Sequence, residues 1–251
     1  MPDQPAASGA GGPSEIRMPD TAARGDTVVT ERHAGMPADA YGGQSLETRG
    51  SMVQTPPPAT ADPGPLGLAA FAMTTFVLSV FNSNIISDAK LEGVVLPLAL
   101  FYGGIGQFAA GMWEFRKGNT FGATAFSSFG AFWLSYAAYV KFVVPGLPAD
   151  TAYKATGVYL LAWAIFTAYM ILPSMRVSLA VMMVFLTLTA TFVLLCIGDL
   201  AKNMTVTHAG GIVGLVTAGF AWYASMAVVT NETWKRTLLP TFPARTRVPA
   251  R

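Results

Sequence analysis

Six apolar runs almost free of charge, each close to the length of a membrane span, dominate the chain from residue 66 to residue 230. About 20 apolar residues, rising about 1.5 Å each in a helix, match a hydrocarbon core about 30 Å thick. The runs fall near 66–86, 93–114, 120–143, 156–174, 177–198 and 209–230. A segment in lipid must satisfy its own backbone hydrogen bonds, so each run is expected to be a helix. The strict alternation of a membrane-barrel strand is absent. The expected fold is therefore an all-α integral membrane protein: six transmembrane helices in one bundle, both ends of the bundle's chain on one side.

Composition agrees. Apolar residues make up 52% of the chain and charged ones 12%, with a formal net charge of +2. A balance so close to neutral argues against a nucleic-acid partner. Cys196, the lone cysteine, sits in an apolar run and is expected to be a small buried hydrophobe. Residues 1–60 are rich in Pro, Gly, Ala, Ser, Asp and Thr, too poor in large apolar side chains to offset chain entropy, and are expected to be a disordered tail. That tail lacks the charged start and apolar core of a secretory signal. Residues 61–234 form the transmembrane unit, and the basic, proline-broken stretch 235–251 reads as a second tail.

Arg116, Lys117, Arg176, Lys235 and Arg236 lie on the side of the termini, against Lys90, Lys141, Lys154 and Lys202 opposite. The positive-inside rule then leans towards cytoplasmic termini and a plasma or cytoplasmic membrane. At the first helix, Asp62 is expected to cap free backbone N–H groups, with Pro63 in the first helical position, and the Asn119–Thr120 pair can start the third helix by capping.

Several helices carry polar or small stripes. Phe71, Thr75, Ser79 and Asn82 recur at helical spacing on the first, with Thr74 beside them; Gly103, Gln107, Gly111 and Glu114 do so on the second. The third, "GNTFGATAFSSFGAFW", presents Thr120, Thr124, Ser127 and Ser128, and the fifth Thr187 and Thr191 next to Leu188. Helix packing accounts for any one of these, because small residues allow close approach and hydroxyls bond back to their own helix. Four stripes together point to a hydrated path. The span interiors hold almost no Asp, Glu, Lys or Arg, so such a path is neutral and suits a small anion or its neutral acid. Glu114 is read either as an ion-pair partner for Arg116, Lys117 or a neighbouring helix, or as a proton-linked group. His208, at a span end, is read as a polar anchor, with a proton-carrying role as the other option. With no paired-His metal motif, nucleophile elbow or phosphate loop, neither an enzyme, a metal nor a cofactor is expected.

The residues also resemble a known family. "DPGPLGLAAFAMTT" (Asp62, Pro63, Gly64, Pro65, Leu66, Gly67, Leu68 and onward) is similar to the N-P-A-P-L-G-L signature of the acetate uptake transporter family, which includes the succinate–acetate permeases. "GGIGQFAAGMWEFRKGNTFGATAFSSFGAFWLS", "GVYLLAWAIFT", "LLCIGD" and "HAGGIVGL" resemble later parts of that family, over roughly residues 62–240. The resemblance implies six helices per subunit, a homohexamer in lipid, and one path per subunit for acetate and in some members succinate, proton-linked or channel-like. It implies a narrow point at Phe71, Phe129 and Leu188. Asp62 and Gly64 stand where the family usually has Asn and Ala, and Phe129 where it commonly has Tyr, one hydroxyl fewer at the narrow point. Ammonia, or a non-transporting sensor using the N-terminal tail, are the alternatives.

Overall fold

A computed structural model of the chain describes residues 60–88 and 90–244. The expectations for residues 1–59 and 245–251 lie outside the described residues. Six helical rods follow one another: α1 (Gly64–Asn82), α2 (Leu91–Lys117), α3 (Thr120–Ala138), α4 (Ala152–Ser174), α5 (Leu179–Leu200) and α6 (Met204–Trp234). Among the described residues, all but α3 are long and apolar enough to cross a membrane. The Gly, Ser and Thr of α3 dilute its hydropathy, yet its aromatics and small residues are enclosed by neighbouring helices.

Local chemistry explains the rod ends. α1 begins one residue later than expected: Pro63 occupies the cap, Pro65 lies in the first turn, and Asp62 Oδ1 accepts the Gly64 N–H at 2.9 Å. α2 stops where Gly118 adopts φ +78°, a left-handed conformation that glycine takes without steric cost. Asn119 then opens α3, its Oδ1 accepting the Gly122 N–H at 3.1 Å. Ser178 caps α5 through the Val181 N–H, and Asn203 caps α6 through the N–H groups of Thr205 and Val206. At 31 residues, α6 is the longest rod; at about 1.5 Å per residue it outruns a hydrocarbon core, so its ends project.

α2 is not uniform. A 3₁₀ turn (Leu91–Val94) and a short α segment lead into π-helical turns over Ala99–Gly106, before regular helix resumes at Gln107. Pro97 withholds one N–H from the ladder, and glycines at 103, 104 and 106 tolerate the widened turns.

Packing is that of a membrane bundle, with small residues inside and large apolar ones outside. Ala70, Ala72, Ala123, Ala221 and Ala227 are fully buried, whereas Phe101, Ile165, Leu172 and Phe142 face outward. α2 and α3 touch closely at Gly130, where a Cβ would stand 2.6 Å from the Phe108 backbone nitrogen. α6 packs along α1 and α5, and α5 along α4. α3 meets α4 through aromatic rings, among them Phe132 with Trp163 and Phe129 with Phe166.

Residues 238–244, read from sequence as part of a tail, fold back onto the bundle. Leu179 N–H bonds Phe242 O at 3.0 Å, Tyr223 Oη bonds Pro240 O at 2.7 Å, and Asn231 holds the backbone of Leu238 and Leu239. The proline-rich composition removes helical potential but not these side-chain and end-of-helix contacts.

Candidate functional site

The starts of α1, α3 and α5 and the ends of α2, α4 and α6 share one end of the bundle. There Ser225 Oγ of α6 bonds Pro65 O of α1 at 2.7 Å, and Lys117 Nζ of α2 meets Asp62 Oδ1 at 2.9 Å. From this end a cavity of about 240 Å³ enters the protein. Asp62, Lys117, Asn119, Ser178, Thr241 and Pro243 contribute to its lining, as do Phe71, Phe129, Phe185 and Leu188 deeper in.

The depth follows from helix geometry. Phe71 is seven residues along α1 from Gly64, and Gln107, Phe129 and Leu188 are each ten residues from Lys117, Asn119 and Ser178. At about 1.5 Å per residue these side chains lie roughly 10–15 Å in, near the middle of a bilayer. Phe71, Phe129 and Leu188 are each 3% exposed and belong to one apolar cluster. The Phe71 and Phe129 rings are 5.6 Å apart, and Phe129 is further enclosed by Phe166, Phe185 and Trp163 at 5.4, 6.1 and 6.0 Å. The three side chains implied by the family resemblance therefore come together at the inner end of one cavity.

The hydroxyl stripes are placed differently. Of the path-lining candidates, Gln107 alone lines this cavity. Thr74, Thr187 and Thr191 bond back to the carbonyls of Ala70, Met183 and Thr187 at 2.9, 2.8 and 2.9 Å. Ser79 is buried against Gly214, and Asn82, half-buried, meets α6 at Gly211. Thr75 Oγ1 and Ser127 Oγ are buried without partners, while Thr124 and Ser128 are half-buried. Membrane helices contacting through small residues use hydroxyls this way, and spacing alone does not separate packing from lining.

The signature segment is positioned by packing as well as by its helix start. Gly67 lies so close to the Phe126 ring that a Cβ would stand 2.6 Å from it; Leu68 lines the cavity and Leu66 faces outward. Glu114 is 1% exposed and lines the cavity, set among Asn119, Gly122 and Gly64. Of the two readings of Glu114, the ion pair is not formed. Lys117 bonds Asp62 instead, and that is the one ion pair among the described residues. The negative charge that Asp62 brings to the entrance is thus countered by a cation beside it. His208, near the start of α6, stands at the opposite end of the bundle and is not part of this cavity.

Lys117, Asn119, Phe126, Phe185 and Thr241 are lining residues that the stripes did not identify. Asn119 carried a signal as a helix cap, and Lys117 as an orienting charge. Thr241 carried none, because nothing local shows where a chain folds back.

Residues 43–245 match the GPR1/FUN34/yaaH family. The chain belongs to that family. It is 41% identical to the succinate-acetate/proton symporter SatP of Escherichia coli (strain K12) over 180 residues, 72% of this chain and 94% of that one. It is 39% identical over 197 residues to acetate permease A of Emericella nidulans, spanning 72% of this chain and 65% of the permease. The ammonia transport outward protein 2 of Saccharomyces cerevisiae is 41% identical over 180 residues, 68% of this chain and 62% of that one. A solved structure of the bacterial acetate channel SatP superposes with a TM-score of 0.68 at 40% identity, covering 73% of this chain and 99% of that chain. The bundle is thus an integral membrane protein whose relatives are named as a symporter, a permease, an outward ammonia transport protein and a channel.

Proposed function

We infer that this protein moves acetate and related short-chain carboxylates, succinate among them, across a membrane, with a proton and through one pathway per subunit. The observation that carries this reading is the convergence of Phe71, Phe129 and Leu188, from three separate helices, at the inner end of a single cavity. A bulky apolar barrier at mid-membrane passes a small acid and resists larger ones, and the small mixed-polarity cavity before it suits a molecule of a few heavy atoms. The relatives' names, a succinate-acetate/proton symporter and an acetate permease, agree with that substrate class. A homohexamer, cytoplasmic termini and the plasma or cytoplasmic membrane complete the proposal; the basic residues at the cavity end support the orientation.

Reconstituted protein is expected to take labelled acetate into liposomes under an imposed pH or acetate gradient. Flux no greater than in empty liposomes under both gradients removes the proposal. The yeast relative named for outward ammonia transport motivates a second reading, ammonia through the same pathway. Acetate flux that other short carboxylates block and ammonium leaves unchanged rejects it.

A further inference from the structure

Two buried polar atoms in the cavity region lack a role in the fold. Gln107 and Glu114, each 1% exposed and each lining the cavity, leave Oε1 and Oε2 respectively without a hydrogen-bond partner. A buried carboxylate oxygen without a donor is costly, and the exceptions in a folded protein call for an explanation. The cation one turn away does not supply it, because Lys117 is held by Asp62. A substrate carboxyl group does: when protonated it donates to a carboxylate oxygen, and when ionised it accepts from a protonated one.

We propose that Glu114 is the proton-exchanging residue of the carboxylate pathway, binding the substrate carboxyl group through one shared proton at the mouth of the cavity. This rests on the transport reading above. The charge balance drives the coupling. Asp62, Glu114 and Lys117 are the charged lining residues; α3, α5, α6 and the folded-back C-terminal stretch contribute only uncharged ones. Asp62 and Lys117 cancel one another. The entrance is therefore neutral when Glu114 is protonated and singly negative when it is ionised.

A protonated Glu114 admits an anion and gives it the proton: the O–H bond on Glu114 breaks, one forms on the substrate carboxylate, and the neutral acid moves towards Phe71 and Phe129. The ionised Glu114 then recovers a proton from water at the mouth. When Glu114 is already ionised it repels the anion and accepts only the neutral acid. By either route one proton accompanies each carboxylate. Gln107 Oε1, seven residues deeper on the same helix face, can accept a hydrogen bond from the neutral acid.

The test uses full-length protein in liposomes, following labelled acetate, internal pH and membrane potential together, with empty liposomes subtracted. Wild type is expected to move acetate and protons at about one to one, without charge displacement. E114Q is expected to lose at least 90% of its response to an acid-outside gradient and to become sensitive to membrane potential. E114Q that stays electroneutral with an unchanged pH response overturns the assignment. If E114Q does not fold, wild type alone decides, by infrared difference spectroscopy with isotopically labelled acetate. A protonated protein carboxyl band that shifts on acetate addition supports the assignment, and absence of any such band overturns it. Wild-type liposomes without acetate flux reject the transport reading itself, a distinguishable result.

Discussion

Replacing Phe71 by Ala tests the barrier most directly. The ring is 3% exposed and packs on Phe129 at 5.6 Å between centroids. Losing that pair forfeits about 0.5–1.5 kcal/mol beyond simple burial. Truncating a buried Phe costs about 3–5 kcal/mol in a soluble core. Two features reduce that figure here. The ring borders an existing cavity of about 240 Å³, so truncation enlarges a space already present, and helices in lipid lack the hydrophobic term that water supplies. A cost near the lower end, about 3 kcal/mol, leaves the bundle foldable. Selectivity should change more than stability. An apolar pocket discriminates about 10-fold or more per methylene, so removing a whole ring should raise hexanoate flux relative to acetate by at least about 10-fold. The assay is paired uptake of labelled acetate and hexanoate into liposomes, with size-exclusion chromatography establishing that the variant is folded. A folded F71A protein with the wild-type flux ratio refutes the placement of the barrier.

Three further outcomes follow from the geometry. D62N removes a partly exposed ion pair, so unfolding should shift by no more than about 1 kcal/mol, while the freed Lys117 should raise acetate flux at low salt and leave it little changed at high salt. G130A places a methyl group 2.6 Å from the Phe108 backbone nitrogen, which cannot rotate away; thermal unfolding should show a loss of about 1–3 kcal/mol, and an unchanged melting temperature contradicts the close contact of α2 with α3. N231A removes three hydrogen bonds, of 2.7, 2.8 and 3.0 Å, that hold residues 238–239, so trypsin should cut after Lys235 and Arg236 about 10-fold faster. Equal cleavage rates show that the stretch is held by other contacts.

Span number, helix type and the relative direction of the rods were all determined by sequence, because a hydrocarbon core dictates run length and backbone satisfaction whatever the packing partner. Helix ends were legible where the chemistry is local, as with Asn119 before α3, and less so where two prolines competed for the start of α1. The family resemblance also brought Phe71, Phe129 and Leu188 forward as a group. Tertiary structure alone decided which polar residues line the cavity and which hold helices together, since Thr74 bonds back to Ala70 whereas Gln107 lines the cavity with its Oε1 unpartnered. It also decided that Lys117 pairs with Asp62 rather than with Glu114, and that residues 238–244 fold back over the start of α5. Those outcomes depend on distances between segments far apart in the chain. Periodicity records which way a side chain faces along its own helix and nothing of what waits on the other side.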